Sequence, residues 1–459
     1  MPELRVSPTD IPGLLVVDLP VITDGRGWFK ENWQRAKMTA LGLPDFGPVQ
    51  QNVSFNAAAG ATRGFHAEPW DKLVSVVTGR VFGAWVDLRD GDSFGRVVTV
   101  DFGPERAVFV PYGVGNAYQA LDDGTAYAYL VNDHWSAEAK ERYTFLNLDH
   151  PGVAWPIPLT EATLSDADRS HPRLSDVTPV PRRRPVITGA DGQLGRALKV
   201  LLPEAVALGH ADLDLTDEAA VRGFDWSSAS AIINAAAYTN VDAAERDGRA
   251  ACWSVNVDGT RHLVEAARRH RLPLVAISSD YVFDGVRDIH DETEPASPLG
   301  AYGAAKAAAD AVVATLPRHY LLRTSWVVGE GPNFVRTMAR LADSGASPSV
   351  VDDQVGRLTF ADDLARAVVH LLDTAAPYGT YNVTSDGPAR SWSDIATAVF
   401  AARGATGTVS PVDTATYAAG RDMAPRPRHS TLDLTKIQST GFTPADGDTA
   451  LRRYLDALP

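Results

Sequence analysis

The sequence predicts two domains of different fold class, an all-β barrel followed by an α/β domain with a doubly wound parallel sheet. Short apolar strands separated by turns occupy about the first 155 residues, whereas strands alternate with helices after residue 185. A proline-rich stretch between these patterns ends in an extended linker. We therefore place the domains at residues 1–177 and 185–459, joined by a linker at 178–184.

Length, charge and cysteine content exclude several classes of protein. With 459 residues, 45% of them hydrophobic, the chain can bury a sizeable core. The net charge of −14 argues against a nucleic-acid surface, and a single cysteine, Cys252, excludes an internal disulfide and a cysteine-based metal site. The sequence shows neither a signal peptide nor an apolar run long enough to cross a membrane. We expect a soluble, cytoplasmic protein that binds neither nucleic acid nor membrane.

The first domain is predicted to consist of many short strands. Apolar segments occur at 72–78, 81–88, 97–102, 107–110, 117–121 and 125–131. Turn sequences such as Asp90-Gly91-Asp92 separate them. Strands of this length and spacing are typical of a sandwich or a small barrel.

The second domain begins with a strand, a glycine-rich turn and a helix. Residues 186–188 form the strand, and Gly189, Gly192 and Gly195 supply the pattern G-x-x-G-x-x-G before the helical periodicity starts. Such a turn lets backbone N–H groups approach a pyrophosphate at the positive end of a helix dipole. Taken alone, the turn could equally serve tight packing.

Three downstream residues favour carbonyl reduction. Ser279 follows a buried strand, and Tyr302 and Lys306 are four residues apart, hence on one helical face. A free tyrosine has a pKa of about 10, and an adjacent ammonium lowers it toward the operating range. Tyr302 would then give a proton to a carbonyl oxygen that Ser279 binds, while a nicotinamide delivers hydride.

These residues resemble the extended short-chain dehydrogenase/reductases, and more closely the dTDP-4-dehydrorhamnose reductases. Further matches are N-A-A-A-Y-T-N-V-D-A-A-E at 234–245, S-D-Y-V-F at 279–283, R-T-S-W-V at 323–327 and D-D-Q-V-G at 352–356. The family has asparagine where His429 stands in R-P-R-H-S.

The resemblance implies a Rossmann-like fold, an NADPH or NADH cofactor and a set of residues around it. Trp326 is assigned to the substrate, although core packing explains it equally well. The residues assigned to the cofactor are Gly189, Gly192, Gln193, Leu194, Gly195, Asp214, Leu215, Ala235, Ala236, Ala237, Tyr238, Asn256, Tyr302 and Lys306.

The first domain contains residues suited to epimerisation beside a ketone. His66 can take the proton, Lys72 can stabilise the enolate, and Tyr129 can return a proton to the other face. A metal site is an alternative for a β-barrel with a histidine. Since His66-Ala67-Glu68 offers two ligands at most and a first-row metal needs three or four, we expect no metal.

Residues 4–177 resemble the dTDP-4-dehydrorhamnose 3,5-epimerases. The matching motifs are D-G-R-G-W-F-K-E at 24–31, Q-Q-N at 50–52, R-G-F-H at 63–66, K-L-V at 72–74 and L-S-D-A-D at 164–168. The resemblance implies a cupin-like jelly roll, a homodimer formed through it, and Asp168 as the residue that orients His66. The residues assigned to the nucleotide sugar are Arg26, Phe29, Glu31, Gln50, Asn52 and Arg63.

The first domain departs from the epimerase pattern at three places, one of them a pair of residues. Asn116 stands where the family has a second histidine, Leu130 replaces a lysine after Tyr129, and His134-Trp135 replaces a Tyr-Tyr pair near the nucleotide and sugar. The resemblance therefore allows epimerisation at C3, C5 or both.

Together the two halves predict a bifunctional enzyme. An epimerase and an NAD(P)H-dependent 4-keto reductase would make dTDP-L-rhamnose or a related deoxy sugar from a dTDP-linked 4-keto-6-deoxyhexose. The alternative is an active reductase joined to a binding module that is non-catalytic or epimerises one carbon.

Overall fold

A computed structural model describes residues 3–458 and divides the chain into two compact units, Met1–Arg182 and Arg183–Pro459. Over the described residues, no helix is both long and apolar enough to cross a membrane.

The first unit is built mainly from short strands. Its strands, in chain order, are β1 (Arg5–Pro8), β2 (Leu15–Asp18), β3 (Ile22–Asp24), β4 (Gly27–Phe29), β5 (Gln50–Asn56), β6 (Thr62–Ala67), β7 (Lys72–Thr78), β8 (Val81–Asp87), β9 (Val97–Phe102), β10 (Arg106–Val110), β11 (Val114–Ala120), β12 (Thr125–Val131) and β13 (Thr144–Phe145). Its helices are α1 (Arg35–Ala40), α2 (Ala137–Lys140) and α3 (Asp166–Ser170), followed by a 3₁₀ turn at Leu174–Asp176.

Two antiparallel sheets enclose the core of this unit. One has the strand order β1-β2-β10-β7-β12-β5 and the other β13-β6-β11-β8-β9, while β3 and β4 form a separate hairpin. Alternate side chains of both sheets meet in one apolar cluster, in which Val76 and Tyr127 from one sheet pack with Trp85 and Tyr118 from the other. The predicted β architecture and its six strand positions are confirmed.

The second unit alternates strands with helices. Its strands are β14 (Arg184–Thr188), β15 (Val206–Leu208), β16 (Ala229–Asn234), β17 (Leu274–Ser279), β18 (His319–Thr324), β19 (Val327–Val328), β20 (Ser349–Val351), β21 (Val355–Gly356), β22 (Thr359–Phe360), β23 (Gly379–Asn382), β24 (Arg390–Ser391), β25 (Ser410–Val412) and β26 (His429–Ser430). Its helices are α4 (Gln193–Leu201), α5 (Glu218–Gly223), α6 (Val241–Ala244), α7 (Arg249–Trp253), α8 (Gly259–His270), α9 (Ala301–Val313), α10 (Phe334–Asp343), α11 (Ala361–Asp373), α12 (Trp392–Ala402), α13 (Thr414–Ala418), α14 (Thr435–Ser439) and α15 (Gly447–Asp456).

Six parallel strands form the central sheet of this unit. Their order is β15-β14-β16-β17-β18-β23, so the chain moves outward from β14 to β15 and then crosses back to β16. Apolar clusters cover both faces, with Leu263 of α8 on one and Leu364 of α11 on the other. The strand order reverses beside β14, and in sheets of this kind ligands bind at such a point, in a crevice at the carboxyl ends of the strands.

The helical segment at residues 249–270 is not continuous. It is broken by a π-helical turn at Ser254–Asp258 that separates α7 from α8. One extra residue in a turn shifts the side chains that follow, and such insertions recur at functional sites.

The predicted linker is held at both of its ends. The Val180 backbone N–H donates to Leu88 O at 2.7 Å, and the Arg182 side chain bonds to Ser93 in the first unit. Arg184 is already the first residue of β14, and its backbone N–H donates to Ser228 O at 2.9 Å.

We predict that cutting between Arg182 and Arg183 leaves two fragments that fold independently, because each unit contains its own apolar clusters. Residues 1–182 and 183–459, expressed separately, should each unfold cooperatively in denaturant and retain near-UV circular dichroism. An insoluble or molten fragment would show that the boundary is wrong.

Candidate active sites

The first turn of the second unit requires glycine at two positions. Gly189 has a φ of +71°, and a Cβ there would lie 2.4 Å from the Ala236 backbone nitrogen. A Cβ on Gly195 would lie 2.3 Å from Gly189 O. Gly192 is the N-cap of α4 and makes no side-chain hydrogen bond, so the first N–H groups of that helix are not capped by a side chain of Gly192. The geometry thus combines tight packing with an anion-binding helix end.

Two asparagines fix the backbone that faces this turn. Asn234 Oδ1 accepts hydrogen bonds from Thr188 Oγ1 at 2.9 Å and from the Ala236 N–H at 3.1 Å. Asn256, in the π-helical turn, accepts from the Tyr238 N–H and donates to the Tyr238 carbonyl. Asn256 therefore shapes the 235–238 segment rather than presenting its own amide to a ligand.

The remaining residues assigned to the cofactor differ in accessibility. Leu194 and Leu215 are buried, and the Asp214 carboxylate accepts two hydrogen bonds from Thr216. Gln193 Oε1 is buried without a hydrogen-bond partner among the described residues. An unsatisfied amide oxygen beside a glycine-rich helix end fits a site that a polar ligand completes.

Ser279 is the last residue of β17, as predicted, and Tyr302 lies in the first turn of α9. Ser279 Oγ donates to Asp280 Oδ1 at 2.9 Å. Burial raises the pKa of Asp280 to about 6, although hydrogen bonds with Ser430 and Ser279 oppose the shift. The Ser279 side chain also acts on the Tyr302 phenol and opposes the rise in the pKa of Tyr302, so Ser279 influences both the phenol and the carboxyl group.

The prediction that Lys306 lowers the pKa of Tyr302 is wrong for the protein alone. Burial of the ring, followed by the negative charge of Asp280, raises the pKa of Tyr302 above that of a free phenol. Lys306 Nζ instead donates to Ile277 O at 2.6 Å, and burial lowers the pKa of Lys306. Tyr302 therefore keeps its proton at neutral pH, as a proton donor must.

Glu245 supports the helix that carries Tyr302, a role that the sequence did not reveal. Its carboxylate accepts from the Ala301 N–H at 2.5 Å and so caps α9, whose N-cap residue, Gly300, has no side chain. The capping glutamate belongs to another part of the chain, 56 residues away. Capping residues are recognised in a sequence by their spacing within one helix. Glu245 lies outside α9, so this spacing could not indicate its role.

Trp326 lies just beyond the carboxyl end of β18, where Thr324 pairs with Ser279. Its φ is +47°, a conformation rare for a bulky residue, and its ring stacks on Trp392 with centroids 3.7 Å apart. Phe334 packs against Trp392. The cluster holds a partly exposed indole near Ser279, which suits a wall of a substrate site and makes Trp392 a residue that sequence reasoning missed.

In the first unit, His66 and Asp168 form a hydrogen-bonded dyad. His66 Nε2 and Asp168 Oδ1 are 3.0 Å apart, and Ser165 Oγ donates to Asp168 Oδ2 at 2.9 Å. Ser165 is also the N-cap of α3, so one side chain both caps the helix and holds the Asp168 carboxylate. Burial alone raises the pKa of Asp168, but the hydrogen bonds from His66 and Ser165 outweigh it and hold the pKa below its ordinary value.

Lys72 begins β7 and is buried with a partner. Its Nζ lies 3.0 Å from Glu68 Oε2, and the same oxygen accepts from Trp70 Nε1 at 2.6 Å. The Lys72 ammonium also stands 5.9 Å from the centroid of the Tyr129 ring. Burial and the Glu68 carboxylate raise the pKa of Tyr129 to about 12, which keeps the phenol protonated.

Three residues assigned to the sugar nucleotide lie beside Tyr129 or its strand. Asn52 pairs with Tyr129 across β5 and β12, and Gln50 Nε2 donates to Asn52 Oδ1 at 2.9 Å. Arg63 Nε donates to Asn56 at 3.3 Å, and its charge favours the Tyr129 phenolate.

Arg26, Phe29 and Glu31 are placed elsewhere, on and after the exposed β3–β4 hairpin. Arg26 pairs with Asp24, Glu31 pairs with Lys37, and the Phe29 ring is largely exposed. Lys30 attaches this segment to Val76 O at 2.8 Å. Val76 is four residues along β7 from Lys72, a distance of roughly 13 Å. Within one chain these residues therefore do not join the Lys72 end of β7.

His171 is a further residue that the sequence did not indicate. It directly follows α3, and its Nδ1 lies 3.9 Å from Asp168 Oδ1. Its ring stacks on Phe145, which also contacts the edge of His66. Burial and then the charge of His66 lower the pKa of His171, against opposing effects of Asp168 and the Gly64 backbone. The three-residue spacing from Asp168 was its only sequence signal.

The structure gives the contacts of two residues that depart from the epimerase pattern, Asn116 and Trp135. Asn116 pairs with His66 across β11 and β6, and its side chain accepts from Tyr127 Oη at 3.1 Å. Trp135 is exposed, and its backbone N–H donates to Gln50 at 3.1 Å.

Comparisons with known proteins match the two units separately. The family model for the RmlD substrate binding domain matches residues 183–459, and that for dTDP-4-dehydrorhamnose 3,5-epimerase matches residues 8–176. A protein RmlC homolog of Streptococcus pyogenes is 48% identical over 37% of this chain and 89% of its own length.

Relatives of the second unit are reductases. A dTDP-4-dehydrorhamnose reductase of Aggregatibacter actinomycetemcomitans is 42% identical over 59% of this chain and 97% of its own length. The crystal structure of a dTDP-4-dehydrorhamnose reductase from Bacillus anthracis in complex with NADP superposes with a TM-score of 0.56. It is 34% identical, and the match covers 60% of this chain and 99% of that one. The chain therefore belongs to the RmlD family over residues 183–459 and to the dTDP-4-dehydrorhamnose 3,5-epimerase family over residues 8–176.

Proposed function

We propose that the protein is a bifunctional enzyme of dTDP-L-rhamnose formation, with a 3,5-epimerase in the first unit and a 4-keto reductase in the second. The observation that carries the proposal is the presence of both reacting sets in one chain, the His66–Asp168 dyad and the Ser279–Tyr302 pair. The substrate is a dTDP-linked 4-keto-6-deoxy sugar, which relatives of both units are named for.

Epimerisation uses groups on three strands and one helix. His66, oriented by Asp168, takes a proton from a carbon next to the ketone, and the Lys72 ammonium stabilises the enolate oxygen. Tyr129 returns a proton from the other face, since its raised pKa keeps it protonated until the enolate forms. We propose that this chemistry needs no resident metal ion.

Reduction depends on the crevice beside β14. The turn with Gly189 and Gly195, the N-terminus of α4 and the 235–238 backbone would hold a nicotinamide dinucleotide, as the NADP complex of a relative supports. When bound, the reduced nicotinamide supplies hydride. Tyr302 donates a proton to the carbonyl oxygen, Ser279 binds that oxygen, and Lys306 places positive charge near the dinucleotide. Trp326 lines the sugar side.

We further classify the first unit as a cupin-like jelly roll and the second as a Rossmann-like fold, with boundaries near residues 177 and 185.

We propose that the first unit forms a homodimer. The outer strand β5 exposes Val53 and Phe55, and the β3–β4 hairpin exposes Trp28 and Phe29, so a second copy can cover both. A dimer would bring Arg26 and Phe29 to a neighbouring chain's nucleotide site. We place the enzyme in the cytoplasm.

The alternative function for the first unit is sugar-nucleotide binding without catalysis, or epimerisation of a single carbon. Asn116 favours it, because an amide replaces the family's second histidine directly opposite His66. An amide cannot act as a general base, so the two carbons need not exchange at equal rates.

Tyr302→Phe should lower the rate of 4-keto reduction by about 10²–10⁴-fold, because it removes the proton donor. Dinucleotide affinity, measured by fluorescence titration with NADPH, should stay nearly unchanged. A variant that loses cofactor binding in parallel with turnover would contradict the assigned role. The epimerase half of the same variant serves as an internal control and should stay active.

In deuterium oxide, the wild-type protein without dinucleotide should place deuterium at sugar C3, C5 or both. His66→Ala should slow incorporation by at least about 10²-fold, and Asp168→Asn should slow it less, because the base remains but its orientation is lost. His150→Asn is the matched control, since His150 lies outside the dyad. If the wild-type protein binds the sugar nucleotide without any exchange, the binding-module alternative is correct.

Trp392→Leu should raise the KM for the 4-keto sugar several-fold while kcat changes little. Removing one stacked partner costs about 0.5–1.5 kcal/mol and frees Trp326 to move. Trp253→Leu, at an exposed tryptophan of α7, is the control and should leave KM unchanged. Steady-state NADPH oxidation separates the two constants, and an unaffected KM in Trp392→Leu would remove Trp326 from the substrate site.

A further inference from the structure

Two imidazoles, rather than one, face the Asp168 carboxylate. His171 Nδ1 lies 3.9 Å from Asp168 Oδ1, the same oxygen that lies 3.0 Å from His66 Nε2. All three atoms lie within 4.8 Å of one another. Ser165 occupies the other carboxylate oxygen, so Oδ1 is the one shared by both rings.

One of the two nitrogens of the second imidazole lacks a partner in the part of the chain that the structure describes. His171 Nδ1 is buried and has no hydrogen-bond partner among the described residues, yet it faces a carboxylate oxygen. A nitrogen lone pair directed at a carboxylate is repelled unless a cation lies between them. Two imidazole nitrogens and one carboxylate oxygen are ligands that borderline-soft divalent ions prefer.

We propose that His66, Asp168 and His171 bind a divalent transition-metal ion, with Zn²⁺ as the best fit, and that the bound ion stops epimerisation. With bonds of about 2.0–2.2 Å, ligand atoms around a tetrahedral ion lie roughly 3.3 Å apart. The observed separations of 3.0 and 3.9 Å lie on either side of this value, and the third separation is at most 4.8 Å, so side-chain movements of about 1 Å complete the site. The His66 side chain is 34% exposed, which gives the ion a path of entry.

Inhibition follows from the tautomer of His66, and this step rests on its proposed role as the base. Asp168 bonds to Nε2, which leaves the reactive lone pair on Nδ1. An ion on Nε2 replaces the proton there, and the neutral imidazole then carries its proton on Nδ1. The proton lost at one nitrogen is matched by the proton gained at the other, so the charge of the ring is unchanged. His66 Nδ1, which would take the sugar proton, then no longer has a free lone pair.

Binding is tested on the full chain after treatment with a chelator. Calorimetric titration with Zn²⁺ alone should show a site that His171→Ala weakens at least about tenfold and that His150→Asn leaves intact. Co²⁺ in place of Zn²⁺ should give the visible absorption bands of a four-coordinate site in the wild type and not in His171→Ala. Asp168→Asn provides a second ligand variant if His171→Ala fails to fold. Equal Zn²⁺ binding by the wild type and both ligand variants would overturn the site.

Regulation is tested by deuterium exchange. Stoichiometric Zn²⁺ should suppress exchange in the wild type, a chelator should restore it, and His171→Ala should need at least about tenfold more Zn²⁺ for the same effect. Millimolar Mg²⁺ should have no effect, because it prefers oxygen ligands. Exchange that continues with the site filled would overturn the inhibition. If metal-free protein shows no exchange, the proposed epimerase function fails, whereas the titration still decides the metal site.

Discussion

Each unit contains a buried carboxyl group that is hydrogen-bonded to a proposed site residue, Asp168 to His66 and Asp280 to Ser279, and the cost of burying a carboxylate explains the groups around it. An unpaired buried carboxylate costs several kcal/mol, so each one must find hydrogen-bond donors or take up a proton. Asp168 follows the first course, with His66 and Ser165 as donors and a lowered pKa. Asp280 accepts from Ser279, and burial still raises its pKa to about 6, so it stays largely ionised at neutral pH but takes up a proton more readily than Asp168. Desolvation thus acts on both carboxyl groups, and the donors around each one decide whether its pKa ends below or above the ordinary value.

The elements and their order could be predicted from the sequence because they depend on local patterns. Alternating apolar residues located the strands of the first unit, and the glycine turn located the start of the α/β unit. Gly189 and Gly195 are required by close backbone contacts that no side chain permits, so their spacing is informative by itself. Ser279 could be placed at a strand end since β17 is a plain apolar run.

The parts that could not be predicted depend on contacts between distant segments. His171 gains its significance from Asp168 and His66, which a two-ligand count around His66 did not include. Glu245 caps α9 from outside the helix, and Trp326 takes a left-handed conformation held by Trp392. The pKa of Tyr302 was assigned the wrong direction because helix spacing indicates that Lys306 is near but not that burial and Asp280 outweigh it.

Joining the two activities in one chain has a chemical consequence that requires no contact between them. Epimerisation beside a ketone is reversible, because the carbonyl group that acidifies the neighbouring carbons is still present in the product. Reduction removes that carbonyl group, so the configuration set by the epimerase unit no longer exchanges once the reductase unit has acted. Tethering raises the effective concentration of the second enzyme near the product of the first. Removal of the product by the second activity therefore draws the first toward completion, and an ion bound to His66 would stop the proposed sequence before the reduction.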